Sequence, residues 1–177
     1  SGDNNGASDI FVYDRTAKTV ERVSLNRGVA EGDNSAFDCS ISADGRYIVF
    51  ATLATNLLPG QDTNNQADIY RFDRSNAVIE RVSTTSTGLQ ANAGNFRPRI
   101  SRDGRLVAFE SLATNMVPND TNGVVDIFVK DMLTGQLNLA SASGAGVPGN
   151  GASSSVAFSG SGQFVAFRSA ANNLVAG

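Results

Sequence analysis

Histidine is absent from the 177-residue chain. That removes Ser-His-Asp and Cys-His catalytic arrangements and every imidazole metal ligand at once. Cys39 is the only cysteine, so no intramolecular disulfide can form. It falls in an apolar inner-strand segment, where a small buried thiol is expected. Lysine occurs only at Lys18 and Lys130, and the net charge is −3. A nucleic-acid binder would show a basic face, and an anionic membrane would need a polybasic patch, so neither partner is expected. No apolar run approaches the roughly 18 residues of a membrane-spanning helix, so no membrane insertion is expected either. No secretory signal is visible, but Ser1 enters in mid-pattern, and we expect the native N-terminus to precede it.

What is present is repetition. A hydrophobic fraction of 41% beside 18% charged residues is globular in character. Three segments align almost without gaps. Each opens on Asp9-Ile10-Phe11-Val12-Tyr13-Asp14, Asp68-Ile69-Tyr70-Arg71-Phe72-Asp73 or Asp126-Ile127-Phe128-Val129-Lys130-Asp131. Val20-Glu21-Arg22-Val23-Ser24, Ile79-Glu80-Arg81-Val82-Ser83 and Leu137-Asn138-Leu139-Ala140-Ser141 follow. Eighteen residues after each serine come Ser42-Ala43-Asp44-Gly45-Arg46, Ser101-Arg102-Asp103-Gly104-Arg105 and the decayed Ser159-Gly160-Ser161-Gly162-Gln163. Apolar runs around Phe50, Phe109 and Phe167 then lead to Asn56, Asn115 and Asn173. The spacing is 59 residues and then 58, the deletion falling where Pro59-Gly60-Gln61-Asp62 shortens to Pro118-Asn119-Asp120. The repeats run over 9–67, 68–125 and 126–177 of one single domain.

Each repeat holds four short β-rich runs between turn residues, with no helical periodicity. Asp44-Gly45 and Asp103-Gly104 mark tight hairpins, because such turns need positive φ; Ser75-Asn76 and Thr134-Gly135 mark a second turn. Four antiparallel strands at a period of about 40–60 residues indicate an all-β fold of β-propeller blades, the structural alternative being a β-solenoid, whose coils are usually much shorter.

Ser-x-Asp-Gly-Arg before an apolar strand, with Asp-Ile-Phe/Tyr opening the next, resembles the TolB-like (WD-repeat-like) propeller repeat of bacterial proteins across essentially the whole chain. The resemblance implies strand A ending at Ser42, Ser101 and Ser159 and lining a central channel. It implies strand B centred on the three phenylalanines, strand C from Asp9, Asp68 and Asp126, and an outward-facing strand D ending at Ser24, Ser83 and Ser141. The long B–C loop departs from the family, so no activity is carried over.

In this strand order the chain holds two whole blades, at 36–84 and 95–142. An orphan C–D hairpin lies at 9–24 and an orphan A–B hairpin at 153–170. Three blades are too few for a ring. The expectation is half of a six-bladed ring closed by a homodimer with composite blades, the alternative being a longer propeller with additional repeats.

The B–C loops share Asp-x-Asn-x-x-x-Asp: Asp3/Asn5/Asp9, Asp62/Asn64/Asp68 and Asp120/Asn122/Asp126. Oxygen side chains at that spacing suit a hard cation such as calcium in a structural role, with the first loop, at a chain end, the weakest. The same residues build Asx-turns without metal, and both readings stand at this point. Asn56, Asn115 and Asn173 are expected to cap loops, and Asp14, Asp73 and Asp131 to bond turn amides. Glu21-Arg22 and Glu80-Arg81 are expected on a solvated outer edge. The glycines at 144–151 lack the strand-turn-helix setting of a phosphate loop.

These features point to a non-enzymatic binding module, periplasmic or secreted, for a protein or carbohydrate ligand that no residue names. The alternatives are the propeller part of a larger hydrolase or lyase with its catalytic residues elsewhere, and a spacer in a surface protein.

Overall fold

The computed structural model describes residues 3–26, 30–58 and 62–175. Gly2, the Pro59-Gly60-Gln61 stretch and Ala176-Gly177 therefore lie outside the described residues. Among the described residues there are fourteen strands and no helix. In chain order they are β1 (Phe11–Asp14), β2 (Thr19–Arg22), β3 (Leu25–Asn26), β4 (Ala30–Glu31), β5 (Ala36–Ile41), β6 (Tyr47–Thr52) and β7 (Asp68–Asp73). Then follow β8 (Val78–Arg81), β9 (Asn95–Ile100), β10 (Leu106–Ser111), β11 (Asp126–Asp131), β12 (Leu137–Leu139), β13 (Ser153–Phe158) and β14 (Val165–Ser169).

β5-β6-β7-β8 and β9-β10-β11-β12 are four-stranded antiparallel sheets, the two whole blades; β1-β2 and β13-β14 are the two half-blades. The inner strands β5, β9 and β13 pack side by side in turn, as channel-lining strands do. One feature was not expected. The connection from strand D to strand A folds back on itself as β3-β4 in the first repeat and as the bridges Thr84↔Gln90 and Ala142↔Pro148 in the others.

The turn chemistry follows from Ser-x-Asp-Gly-Arg. Ser42 Oγ accepts from the Tyr47 amide at 2.9 Å and donates to Asp44, whose carboxylate accepts the Arg46 amide at 3.0 Å. Gly45 and Gly104 take φ of +71° and +77°, which only glycine adopts without strain. Arg46 then grips Asp73 through two bonds of 2.9 and 2.7 Å, and Arg105 grips Asp131 likewise, tying the A–B turn to the C–D turn. The arginine and two turn donors hold Asp73 and Asp131 well below the usual carboxylate range. Asp14, Asp73 and Asp131 do accept the turn amides expected of them.

Strands B and C of the whole blades are buried on both faces. Phe50 stacks on Tyr70 with ring centroids 6.3 Å apart, and Phe109 on Phe128 at 6.0 Å. Three apolar cores lie between successive blades. One joins Ile10 and Val23 to Ile48, Phe50 and Tyr70; one joins Val49 and Ile69 to Val107, Phe109 and Phe128; one joins Ala108 and Ile127 to Val156.

Burial departs from the repeat at the two ends, and the expectation for Cys39 is corrected. Phe50 and Phe109 are wholly buried, but Phe167 is only half-buried, because β14 has no strand C beside it. Cys39 is exposed rather than buried. Its equivalents Pro98 and Val156 are buried against the blade before them, whereas no inner half-blade precedes β5. Ile41 tells the same story, at 49% exposed against 8% for its equivalent Ile100.

The stability of a wholly buried aromatic pair should exceed that of its unpaired counterpart. Phe109→Ala is expected to cost about 3–5 kcal/mol in urea unfolding. In conditions where the chain is monomeric, Phe167→Ala should cost clearly less; equal losses would mean that strand B does not depend on its strand C.

Candidate functional site

The B–C loop of each repeat meets the D–A connection, and the Asp-x-Asn-x-x-x-Asp residues sit at that junction. The asparagines act as staples. Asn5, Asn64 and Asn122 donate through Nδ2 to the carbonyls of Gly32, Ala91 and Gly149 at 2.8, 2.6 and 2.8 Å. Their Oδ1 atoms accept the amides two residues on, from Ala7, Gln66 and Val124. Those oxygens are committed to Asx-turns. The last aspartates are strand joints: Asp9, Asp68 and Asp126 accept from Ser24, Ser83 and Ser141, whose Oγ atoms accept the amides of Ile10, Ile69 and Ile127. Asn56, Asn115 and Asn173 cap the junction from strand B, each bonding a backbone amide and a backbone carbonyl of the D–A connection.

The three junctions differ in charge. In the first, Arg22 lies 2.9 Å from Asp9, 2.7 Å from Glu31 and 4.0 Å from Asp3. In the second, Arg81 lies 3.1 Å from Asp68 and bonds the Tyr70 hydroxyl at 2.9 Å, while Gln90 Nε2 bridges Asp62 and Asp68 at 3.0 and 2.8 Å. The side chains of Arg81 and Asp68 are 5% and 2% exposed. The expectation that Arg22 and Arg81 lie on a solvated edge is therefore corrected: strand D turns them inward onto the loop carboxylates. Glu21 and Glu80 do face out, pairing with Arg74 and Arg71. Burial outweighs Arg81, Ser83 and Gln90, so the Asp68 carboxyl is raised above its ordinary value.

In the third junction the arginine position is Leu139 and the Glu31/Gln90 position is Pro148. No ion pair reaches Asp120 or Asp126 among the described residues. Asp126 retains Ser141 and accepts Asn122 Nδ2 at 2.7 Å. Asp120 is 4% exposed, and its Oδ1 is buried with no hydrogen-bond partner. Burial, then the neighbouring Asp126 charge, push the Asp120 carboxyl up to about 6. Asp62 Oδ2 and Asn95 Oδ1 are likewise unpartnered, but Asp62 is only half-buried and its other oxygen accepts Gln90. Among the described residues no group of three or more His, Cys, Asp or Glu side chains converges as a metal centre.

Two polar features had no place in the sequence reading. Asp38, Arg97 and Ser155 occupy the same bulge in the three inner strands, with φ of +48°, +47° and +60°. Arg97 reaches the buried Glu110 at 2.8 Å, and Glu110 accepts the Ser155 amide at 2.8 Å, joining the second blade to the third. The inner strands, Ala36–Ile41, Asn95–Ile100 and Ser153–Phe158, differ at nearly every position, so the repeat carried no signal for this register. Lys130 is buried where the other repeats have Tyr13 and Phe72, its ammonium held by the carbonyls of Thr84 and Thr85 at 3.0 and 2.8 Å. Burial lowers its pKa.

Removing the buried cation of the second junction leaves the Asp68 charge beside Asp62 with only neutral hydrogen-bond donors, Ser83 and Gln90 foremost. Arg81→Leu, which copies the third repeat, should cost about 3–5 kcal/mol, read by chemical unfolding with calcium chelated. A loss below about 1 kcal/mol would show the pair to be solvated after all.

No protein-family model matches the sequence, and no curated protein does. Solved structures do. TolB from Acinetobacter baumannii superposes with a TM-score of 0.51 at 20% identity, over 90% of this chain and 31% of that one. The tricorn protease superposes at 0.55 and 17% identity, over 93% of this chain and 13% of that one. The chain thus spans about a third of the TolB length and far less of the protease. At these identities the likeness shows the fold alone: part of a β-propeller.

Proposed function

We propose that the chain is a non-enzymatic interaction module whose half-blades are completed by a second copy of itself. The observation that carries this reading is the self-complementarity of its two ends. β14 is an unpaired strand B and β1 an unpaired strand C among the described residues. In both whole blades the B–C register sets an aromatic pair face to face, Phe50↔Tyr70 and Phe109↔Phe128. The same register applied to β14 and β1 sets Phe167 opposite Phe11 of a second copy. Phe11 and Tyr13 are 52% and 54% exposed, large for strand-C aromatics.

A groove of about 280 Å³ runs beside β1, lined by Phe11, Tyr13, Cys39, Ile41 and Ile48. It is where the incoming A–B hairpin of the composite blade would lie, and it gathers the residues whose exposure departs from their equivalents. Two arcs related by a twofold axis fill both grooves and pair both edges, giving six blades. Apolar burial at about 25 cal/mol per Å² then opposes the entropy cost of association.

The absence of histidine and the use of the recurring aspartates as strand joints favour a binding role over catalysis. Loops rich in Asn, Ser, Thr and Gly with two lysines fit a periplasmic or secreted setting and a protein or carbohydrate ligand.

Light scattering on the purified chain at micromolar concentration should return about twice its 18.4 kDa mass. Phe11→Glu or Phe167→Glu should return the monomer with its β-rich circular dichroism retained. A well-folded wild-type monomer would overturn the pairing.

A further inference from the structure

The three junctions are built on one plan and differ in what balances their two aspartates. The first is balanced by Arg22 and the second by Arg81, each fixed on strand D and turned in toward the loop. The third has lost both the arginine, replaced by Leu139, and the bridging side chain, replaced by Pro148. The carboxylates stayed. Two like charges at a buried junction repel, and without a counter-charge they are expensive to hold. Asp126 is partly accounted for by Ser141 and Asn122. Asp120 Oδ1 is buried and accepts nothing.

We propose that a divalent hard cation, Ca²⁺, sits between Asp120 and Asp126 of the third B–C loop, in the role that Arg22 and Arg81 fill in the other two. The assignment rests on an unsatisfied buried carboxylate oxygen, a second carboxylate beside it and the missing internal cation. Carboxylate oxygens favour a hard ion, whose remaining ligands come from loop carbonyls and water. An open groove lined by Thr87, Asn115, Asn119, Asp120 and Thr121 gives it an entry path. Asn122 is not a ligand in this arrangement: its Oδ1 is held by Val124 N, and its Nδ2 positions Asp126 and the Gly149 carbonyl. The site is independent of how the ring closes, since both aspartates lie in one loop of one chain.

The test is calorimetric titration of the chelator-treated chain with CaCl₂, alongside melting curves. One ion per chain should bind, and saturation should raise the melting temperature by mass action. Asp120→Asn should weaken binding at least about tenfold, the loss of one charged ligand, while Asp62→Asn leaves it unchanged. Leu139→Arg restores the internal cation, so it should abolish Ca²⁺ binding and raise the melting temperature of the metal-free chain. Leu139→Met, which keeps the site apolar there, should bind as wild type. Absence of heat and of any thermal shift would mean that a proton alone balances the pair, and would overturn the proposal. Two or three ions per chain, or binding that survives Asp120→Asn, would overturn it equally.

Discussion

Strand B of each blade must pair with a strand C that lies beyond the long B–C loop, and most of the remaining structure depends on that pairing. Where it is made, β6 on β7 and β10 on β11, six residue pairs align in an unbroken register. Both faces of those strands are then buried, and each stacked aromatic pair lies inside the core that joins its blade to the one before. Where it is not made, β1 and β14 carry half-exposed aromatics, and the first inner strand turns Cys39 to solvent. A propeller blade is not a self-sufficient unit. Its core lies between blades, so each blade's burial is set by its neighbours.

The B–C pairing also fixes the chemistry of the loop that spans it. Strand C begins on an aspartate held by the serine at the end of strand D, and the asparagine of the loop is held by the D–A carbonyl. With the loop tethered at both points, its first aspartate is drawn in beside the last. The fold therefore creates a pair of carboxylates as a by-product of closing the blade, and each repeat has to balance them. An arginine from strand D does so twice. The joints recur in all three repeats, whereas the balancing arginine recurs in only two.

The blade plan was legible in the sequence because it is written in local signals. Asp44-Gly45, Asp103-Gly104 and the apolar runs around Phe50 and Phe109 placed both whole blades and both half-blades within three residues. Asn56, Asn115 and Asn173 were read correctly as caps, since repetition in every blade points to architecture. What failed was whatever depends on a neighbour across space. Cys39 looks like a core residue in its own strand, and its exposure follows from the blade that does not precede it. Arg22 and Arg81 look like edge charges on a short strand; their partners lie on the B–C loop and become visible only in three dimensions. The change from Arg22 and Arg81 to Leu139 was present in the alignment of the repeats, but its meaning required knowing that the two arginines at this position reach the loop aspartates of their own repeats. The inner-strand bulge hid Asp38, Arg97 and Ser155 because it breaks the alternation by which strand faces are read.

The central claim is that the exposed end of the arc is an interface awaiting its complementary half-blade. Cys39 is a built-in reporter, being the sole thiol and lining the groove beside β1. Its rate of modification by a small thiol reagent, followed across a dilution series, measures the claim most directly. The account predicts slow labelling at high concentration that accelerates on dilution and is fast throughout in Phe167→Glu. Fast labelling of the folded wild-type chain at every concentration would contradict it.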